Sequence, residues 1–368
     1  MWAGPAADED SPTDENSIQS SGAGLYMKIH FLILIASLLF GPVAAFAQPQ
    51  LPMKWIEAIS EISGSFESGG KDKDEKFAAV TRDFDCQGLS LGYLNWPLGT
   101  GSFFELLSDV DDAEIEKISA DIMPTYGTAW TKMILLGKQG KVSQAVSLAR
   151  GWQKPAFSAG ECKDDKRGGV RFADQTLVSE IKAFLVHDTI REAQMRGLEG
   201  LAQEAFDKAV KWAELQRGLS ASPRFNEFAV FFDLRTQNGL KYADSLMALV
   251  TETNESQKWK RTYNRAATSW IQVKWEQVNP KHVEDGKQNA EQWRKAFDKG
   301  EISTSDNQLL LLIAMRGMLT KQPYTTDTMN RKGVMATGFG WAHTTFFDNR
   351  KIYKKMDSLI QSLAMRGF

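Results

Sequence analysis

The sequence is short of cysteine, histidine, net charge and long apolar runs. Two cysteines, Cys86 and Cys162, exclude a zinc ribbon or a disulfide-dense scaffold. The four histidines (His30, His187, His282 and His343) include no pair at HExxH spacing, which excludes a sequence-local zinc-protease motif. A formal charge of -2 over 368 residues excludes a bulk basic field for nucleic acid. With a single extended apolar run the chain is not a polytopic membrane protein, and no fixed-period repeat or heptad marks a solenoid or coiled coil. What it does have is core material. Apolar residues make up 42% and charged residues 24%, enough for one large domain or two ordinary ones.

The first 47 residues differ from the rest. Residues 1–26 are polar, acidic and poor in large apolar groups, and are expected to be disordered or a non-native extension. Met27-Lys28 then opens a short positive region, Ile29 to Phe40 is almost wholly apolar, and Ala45-Phe46-Ala47 fits cleavage before Gln48. Residues 27–47 therefore read as a secretory signal, with export to the periplasm or medium. The alternative is an uncleaved anchor, but twelve residues reach only about 18 Å as a helix, short of a roughly 30 Å hydrocarbon core. Translation from Met27 would explain the odd leader, and intact mass would test it. Residues 1–47 hold one lysine and five acids, so the remainder carries 43 basic and 41 acidic side chains, a formal +2. That weakly suits an anionic polymer. In an oxidising compartment Cys86 and Cys162 become an open choice between a bridge and two buried thiols.

Most of residues 51–368 read as helix. Trp55, Ala58, Ile59, Ile62 and Phe66 recur at helical spacing. Ser102-x-x-Glu105 has the form of a capping box. Helices are expected over 113–120, 125–137, 142–152, 173–197, 200–217, 224–238, 240–252, 256–277, 287–298, 304–320 and 345–365, with a join near Gly197 and Gly200. Residues 68–77 read as a charged surface loop, and 78–95 as strand-turn-strand around Asp85-Cys86-Gln87-Gly88. Gly160 to Gly169 is the clearest internal break.

Glu67 follows the first helix, and Asp85 lies in the turn of the hairpin. Cleaving a glycosidic bond needs two carboxyl groups: one protonated to donate to the leaving oxygen, one ionised to activate water or stabilise the sugar cation. Apolar neighbours such as Phe66 and Trp96 would keep Glu67 protonated near neutral pH. Among 46 acids such a spacing is common by itself. Its context is more specific. Ser-Phe-Glu67-Ser-Gly, then Asp83-Phe-Asp85-Cys-Gln-Gly88-Leu-Ser90-Leu-Gly92-Tyr-Leu, Asn95-Trp96 and Gly99-Thr-Gly101 resemble the catalytic region of the lysozyme superfamily, closest to chitosanases and related peptidoglycan hydrolases. The resemblance covers about residues 60–107. It implies Glu67 as general acid, Asp85 as base and Ser90, in place of a family threonine, as the residue positioning water. Cys86 departs from the family glycine. Phe231-Phe232-Asp233-Leu-Arg-Thr-Gln237-Asn238-Gly239 and Gly338-Phe-Gly340-Trp-Ala-His343 are fainter echoes.

The implied fold is mainly α (α+β): a lysozyme-like, two-lobed helical domain over 48–368, with a small β-hairpin sheet lining the cleft. Residues 48–109 would form the small lobe and 110–368 the large one. Along the motif Asp83, Gln87, Tyr93, Asn95 and Trp96 are candidates for substrate binding, with Asp233 and Gln237 on the cleft floor. Asp83 is also the rival to Asp85. Tyr93 and Trp96 are equally suited to a core, and Gln237 and Asn238 to a solvated helix end. His343, between Trp341 and Phe346, reads as a packed histidine. The implied activity is an exported hydrolase of β-1,4-linked amino-sugar polymers. Peptidoglycan is the first substrate and chitosan the second. A lytic transglycosylase and a non-catalytic cell-wall-binding module are the alternatives. No cofactor or metal is implied, nor nucleic acid, nor stable membrane insertion after signal cleavage; a protein partner is undetermined.

Overall fold

A computed structural model of the chain describes residues 50–67, 73–83, 87–154, 171–172, 174–252, 280–320 and 325–365. The chain divides into two compact units, Met1–Ala47 and Gln48–Phe368, and every described residue belongs to the second. The leader, the signal segment, residues 160–169, the helix expected over 256–277, Asp85 and both cysteines lie outside the described residues. Among the described residues, no helix is long and apolar enough to cross a membrane.

The architecture is mainly helical with small antiparallel sheets. α1 (Met53–Glu67) buries Trp55, Ile56, Ile59 and Ile62 and leaves Lys54, Glu57 and Glu61 exposed, the one-sided pattern read from its sequence. Trp55 anchors it. The Trp55 indole N–H donates to the Met356 carbonyl at 3.0 Å, and the ring meets Phe206 and Phe225 edge-on. Burying such a side chain contributes about 1.5–3 kcal/mol. It ties α1 at once to α8 (Asp188–Arg217), α9 (Phe225–Asn238) and α14 (Arg350–Met365). One continuous apolar core runs from Trp55 to Ile360.

After α1 come α2 (Lys73–Phe77) and a three-stranded sheet: β1 (Val80–Thr81), β2 (Ser90–Leu91) and β3 (Trp96–Pro97), in sequence order. The expected charged loop is thus partly wrong. Residues 73–77 are helical, Phe77 is core, and Lys76 is buried with its ammonium on the Glu61 carbonyl. α3 (Ser102–Leu106) starts where expected but without a capping box, because Gly101 in a left-handed conformation takes the cap position. α4 (Asp112–Ile122), α5 (Gly127–Lys138) and α6 (Val142–Arg150) follow, and then a two-strand ribbon of β4 (Gln153–Lys154) and β5 (Arg171–Phe172).

The next helix pair breaks elsewhere than expected. α7 (Gln175–Val186) ends at His187 and α8 runs unbroken through Gly197 and Gly200. Gly197 is there for packing, since a methyl group would overlap Leu106. α10 (Ala243–Glu252), α11 (Pro280–Asp298), α12 (Thr304–Met318) and α13 (Thr325–Thr337) complete the large helical part. Ser303 and Asp306 form a reciprocal capping box on α12. α13 packs against α9, α11, α12 and the hairpin of β6 (Phe339–Ala342) and β7 (Thr345–Asp348). Residues 345–348, expected to open the last helix, are strand.

The α11–α13 crossing depends on Gly333. A Cβ there would fall inside the Trp293 ring, and that ring is fixed by its N–H donating to the Phe339 carbonyl at 2.9 Å. Gly333→Ala is expected to cost about 1–3 kcal/mol as overpacking, read as a lower midpoint in urea with an unchanged slope. A midpoint equal to the parent's would show that the helices separate freely.

Candidate functional site

Among the described residues, two neighbours of the turn that ends at Glu67 bear on the expected site. One is the three-stranded sheet. A Cβ on Gly64, one turn before Glu67, would stand 3.4 Å from atoms of the Tyr93 ring, so helix and sheet meet closely there. The sheet is shaped by Gly88 (φ +82) and Gly92 (φ +74), left-handed conformations that favour glycine. At Gly92 there is a second reason, because a Cβ would strike the Gln194 amide oxygen. That oxygen accepts from the Tyr93 N–H at 2.9 Å, while the Gln194 NH2 donates to the Leu185 carbonyl.

The other neighbour is a buried ionic cluster. Asp233 on α9 is fully buried and accepts from Arg331 Nε at 2.7 Å and Lys332 Nζ at 2.7 Å, both from α13. Arg331 Nη2 also reaches the Ser63 hydroxyl, at 3.4 Å, and the guanidinium lies 5.0 Å from the centre of the Phe66 ring. Lys332 also donates to Gln237 Oε1 at 2.8 Å. Burial alone would raise the Asp233 carboxyl, but the charges of Arg331 and Lys332 outweigh it and hold it below its ordinary value. Burial pushes the Lys332 ammonium down, against the pull of Asp233, and Arg331 adds to the push. Two cations share one anion, so the anion gains more than either cation does.

Of the residues expected at the site, the backbone of Glu67 closes α1 and Asp85 lies outside the described residues. Ser90 is buried in the middle strand, paired with Thr81 and Pro97. Asp83 is engaged by Arg150, whose Nε donates to it at 2.9 Å, and its own N–H donates to Gln153. Gln87 is half-buried, and its carbonyl accepts from the Gly99 N–H. Asn95 is half-buried and accepts from the Thr81 hydroxyl at 3.0 Å. Tyr93 and Trp96 are core residues here, with Tyr93 packed on Phe77. Asp233 is buried in the ionic cluster, and Gln237, exposed in the last turn of α9, accepts from its Lys332. Gly239, with φ +67, closes α9. His343 is not packed. It is 43% exposed at the tip of the β6–β7 hairpin, near His282 and Asp327.

Sequence reasoning missed Arg331, Lys332, Asp327, His282 and Ser63. A signal existed in Met329-Asn-Arg-Lys-Gly-Val334-Met335, where two cations sit inside an apolar-flanked helical segment. A groove of about 690 Å³ lies elsewhere, between α4 and α5, lined by Glu116, Met123, Thr131, Lys132 and Gln139; none of the expected site residues lines it.

Tyr93 provides a pH test of the helix–sheet contact. Burial, with the Glu61 carboxylate adding to it, pushes its phenol up to about 12. A raised folded value means stability fully present below pH 10 and lost as pH rises from about 10 towards 12. Tyr93→Phe is expected to flatten that part of the alkaline stability profile measured by urea unfolding. An unchanged difference between parent and variant across the window would place Tyr93 in water.

Protein-family models, curated protein sequences and solved structures give no match to this chain.

Proposed function

We propose that the chain is an exported glycoside hydrolase with a lysozyme-like, two-lobed domain, cleaving β-1,4 bonds of an amino-sugar polymer, first of all peptidoglycan. The last turn of α1 carries this reading: it ends at Glu67 and lies between a glycine-shaped sheet and a buried Arg331–Asp233–Lys332 cluster. A helix terminus and a neighbouring hairpin can together hold two acids across a scissile bond.

In that reaction Glu67 gives its proton to the leaving glycosidic oxygen. Asp85 takes a proton from water as the water oxygen bonds to the anomeric carbon. The carbon–oxygen bond of the leaving group breaks, and the products are two shorter glycans, one with a new reducing end. Inversion requires carboxyl groups about 6.5–9.5 Å apart. The test is digestion of purified peptidoglycan and of chitosan by parent and Glu67→Gln proteins, with products analysed by mass. New reducing ends from the parent alone support the reading. Anhydro ends would make the enzyme a transglycosylase, and no product from either polymer across pH would leave a binding module.

A further inference from the structure

We propose that His282, Asp327 and His343 form a binding site for a divalent transition-metal ion of the zinc class. This site does not depend on the glycan reading. The three side chains come from three elements: α11, α13 and the tip of the β6–β7 hairpin. Their donor atoms all lie within 4.8 Å of one another. His343 Nε2 is 3.3 Å and His282 Nδ1 is 4.0 Å from the same oxygen, Asp327 Oδ1. Ligands at about 2.0–2.1 Å from a tetrahedral ion stand about 3.3 Å apart, so one contact already has that spacing and the other needs a small rotation.

Two of the three donors lack a hydrogen bond from any described residue. Among the described residues, His282 Nδ1 and Asp327 Oδ1 are shielded from solvent and have no hydrogen-bond partner, the 3.3 Å approach of His343 to Asp327 being an ion-pair contact. A desolvated donor or acceptor without a partner is costly, and a shared cation would satisfy both at once. The nearby ammonium of Lys332 is hydrogen-bonded to Asp233 and Gln237.

The scaffold around the donors is built. His343 (φ +52) and Thr344 (φ +64) are both left-handed at a two-residue turn where Asn-Gly is the usual choice. A β-branched threonine there is strained. The Thr344 N–H donates to the buried Asp285 at 2.8 Å, which holds the turn against α11. Asn330, one turn after Asp327, donates to the His282 carbonyl at 2.9 Å, and Asn289 bridges Asn330 to the Trp341 backbone. Such outer contacts orient metal ligands.

The donor set selects the ion. Two imidazoles and one carboxylate suit zinc and its neighbours, whereas calcium and magnesium ask for more oxygens. The exposed edge of His343 leaves a fourth position to water, as in zinc sites that keep an open position. The ion would fasten the hairpin to α11 and α13. Phe347 of that hairpin packs on Phe66, beside Glu67, at 4.4 Å between ring centres.

The test uses the full chain, stripped with a chelator and titrated with Co2+, then with Zn2+ in competition. One equivalent of cobalt is expected to give a visible d–d band that zinc abolishes. His282→Ala and His343→Ala should each weaken cobalt binding by about 100-fold or more. X-ray absorption on the zinc-loaded parent should count two imidazoles, a readout that needs no variant to fold. No saturable band, a band of equal strength in both folded variants, or fewer than two imidazoles would each overturn the proposal.

Discussion

Replacing Asp233 with alanine is expected to cost about 3–5 kcal/mol of folding stability. The carboxylate is hydrogen-bonded to two cations whose side chains are themselves 2% and 0% exposed. Its loss leaves Arg331 and Lys332 buried beside each other with like charge and without the carboxylate to which both donate. Against a typical total of about 5–15 kcal/mol, this is a large fraction, visible in urea unfolding followed by circular dichroism. Lys332→Met is the informative contrast. It removes one cation and leaves Asp233 with Arg331, so its cost should be less than half that of Asp233→Ala. Equal costs would mean that charge balance is not what the cluster supplies. The pH dependence has a definite sign. Asp233 is held below its ordinary value, so the unfolded chain binds the proton more readily. The contribution is present in full above about pH 4–5 and is lost as pH falls through the folded value. Asp233→Ala should therefore show a shallower acid limb than the parent.

This cluster also shows where the sequence was readable and where it was not. α1 was legible because its buried residues are apolar and its exposed ones charged, the condition under which periodicity reports burial. The hairpin was legible from Gly88 and Gly92, whose backbones require what glycine offers. α13 fails the first condition. Thr325, Thr326, Thr328, Asn330, Arg331 and Lys332 are all buried, so a central helix has the composition of a surface loop. The break at His187 was placed at Gly197 because glycine marks both helix ends and close packing, and only the Leu106 side chain tells the two apart. Long-range polar pairing was illegible in principle. Asp233 and Arg331 are 98 positions apart, and His282 meets His343 only because α11 and the β6–β7 hairpin come together in the fold. The absence of a local histidine motif excluded a local metal site and said nothing about a spatial one. The mainly α class with small antiparallel sheets was recovered. The carboxylate pair stands on its motif, with Glu67 at the end of α1.

Glu67→Gln is expected to lower the turnover of peptidoglycan by about 100- to 10,000-fold, with KM nearly unchanged and the circular dichroism spectrum intact. The loss should fall on kcat because the proton is transferred only in the transition state, while the glycan is bound by many other contacts. Gln keeps the size and one hydrogen-bonding edge of Glu, so a folding defect is not the expected result. The pH profile separates acid from base. In the parent, activity falls at high pH as Glu67 loses the proton it must give, and at low pH as Asp85 gains the proton it must lack. The residual activity of Glu67→Gln should therefore lose its alkaline limb and keep the acid one. Asp85→Asn should do the reverse, with a loss of similar size if the enzyme is a hydrolase that inverts. If Asp85→Asn keeps most of its activity while Glu67→Gln does not, one carboxyl group suffices, and the chemistry is that of a transglycosylase releasing anhydro ends. If neither variant differs from the parent on either polymer, the two acids are ordinary surface residues and the motif that singled them out is a chance resemblance.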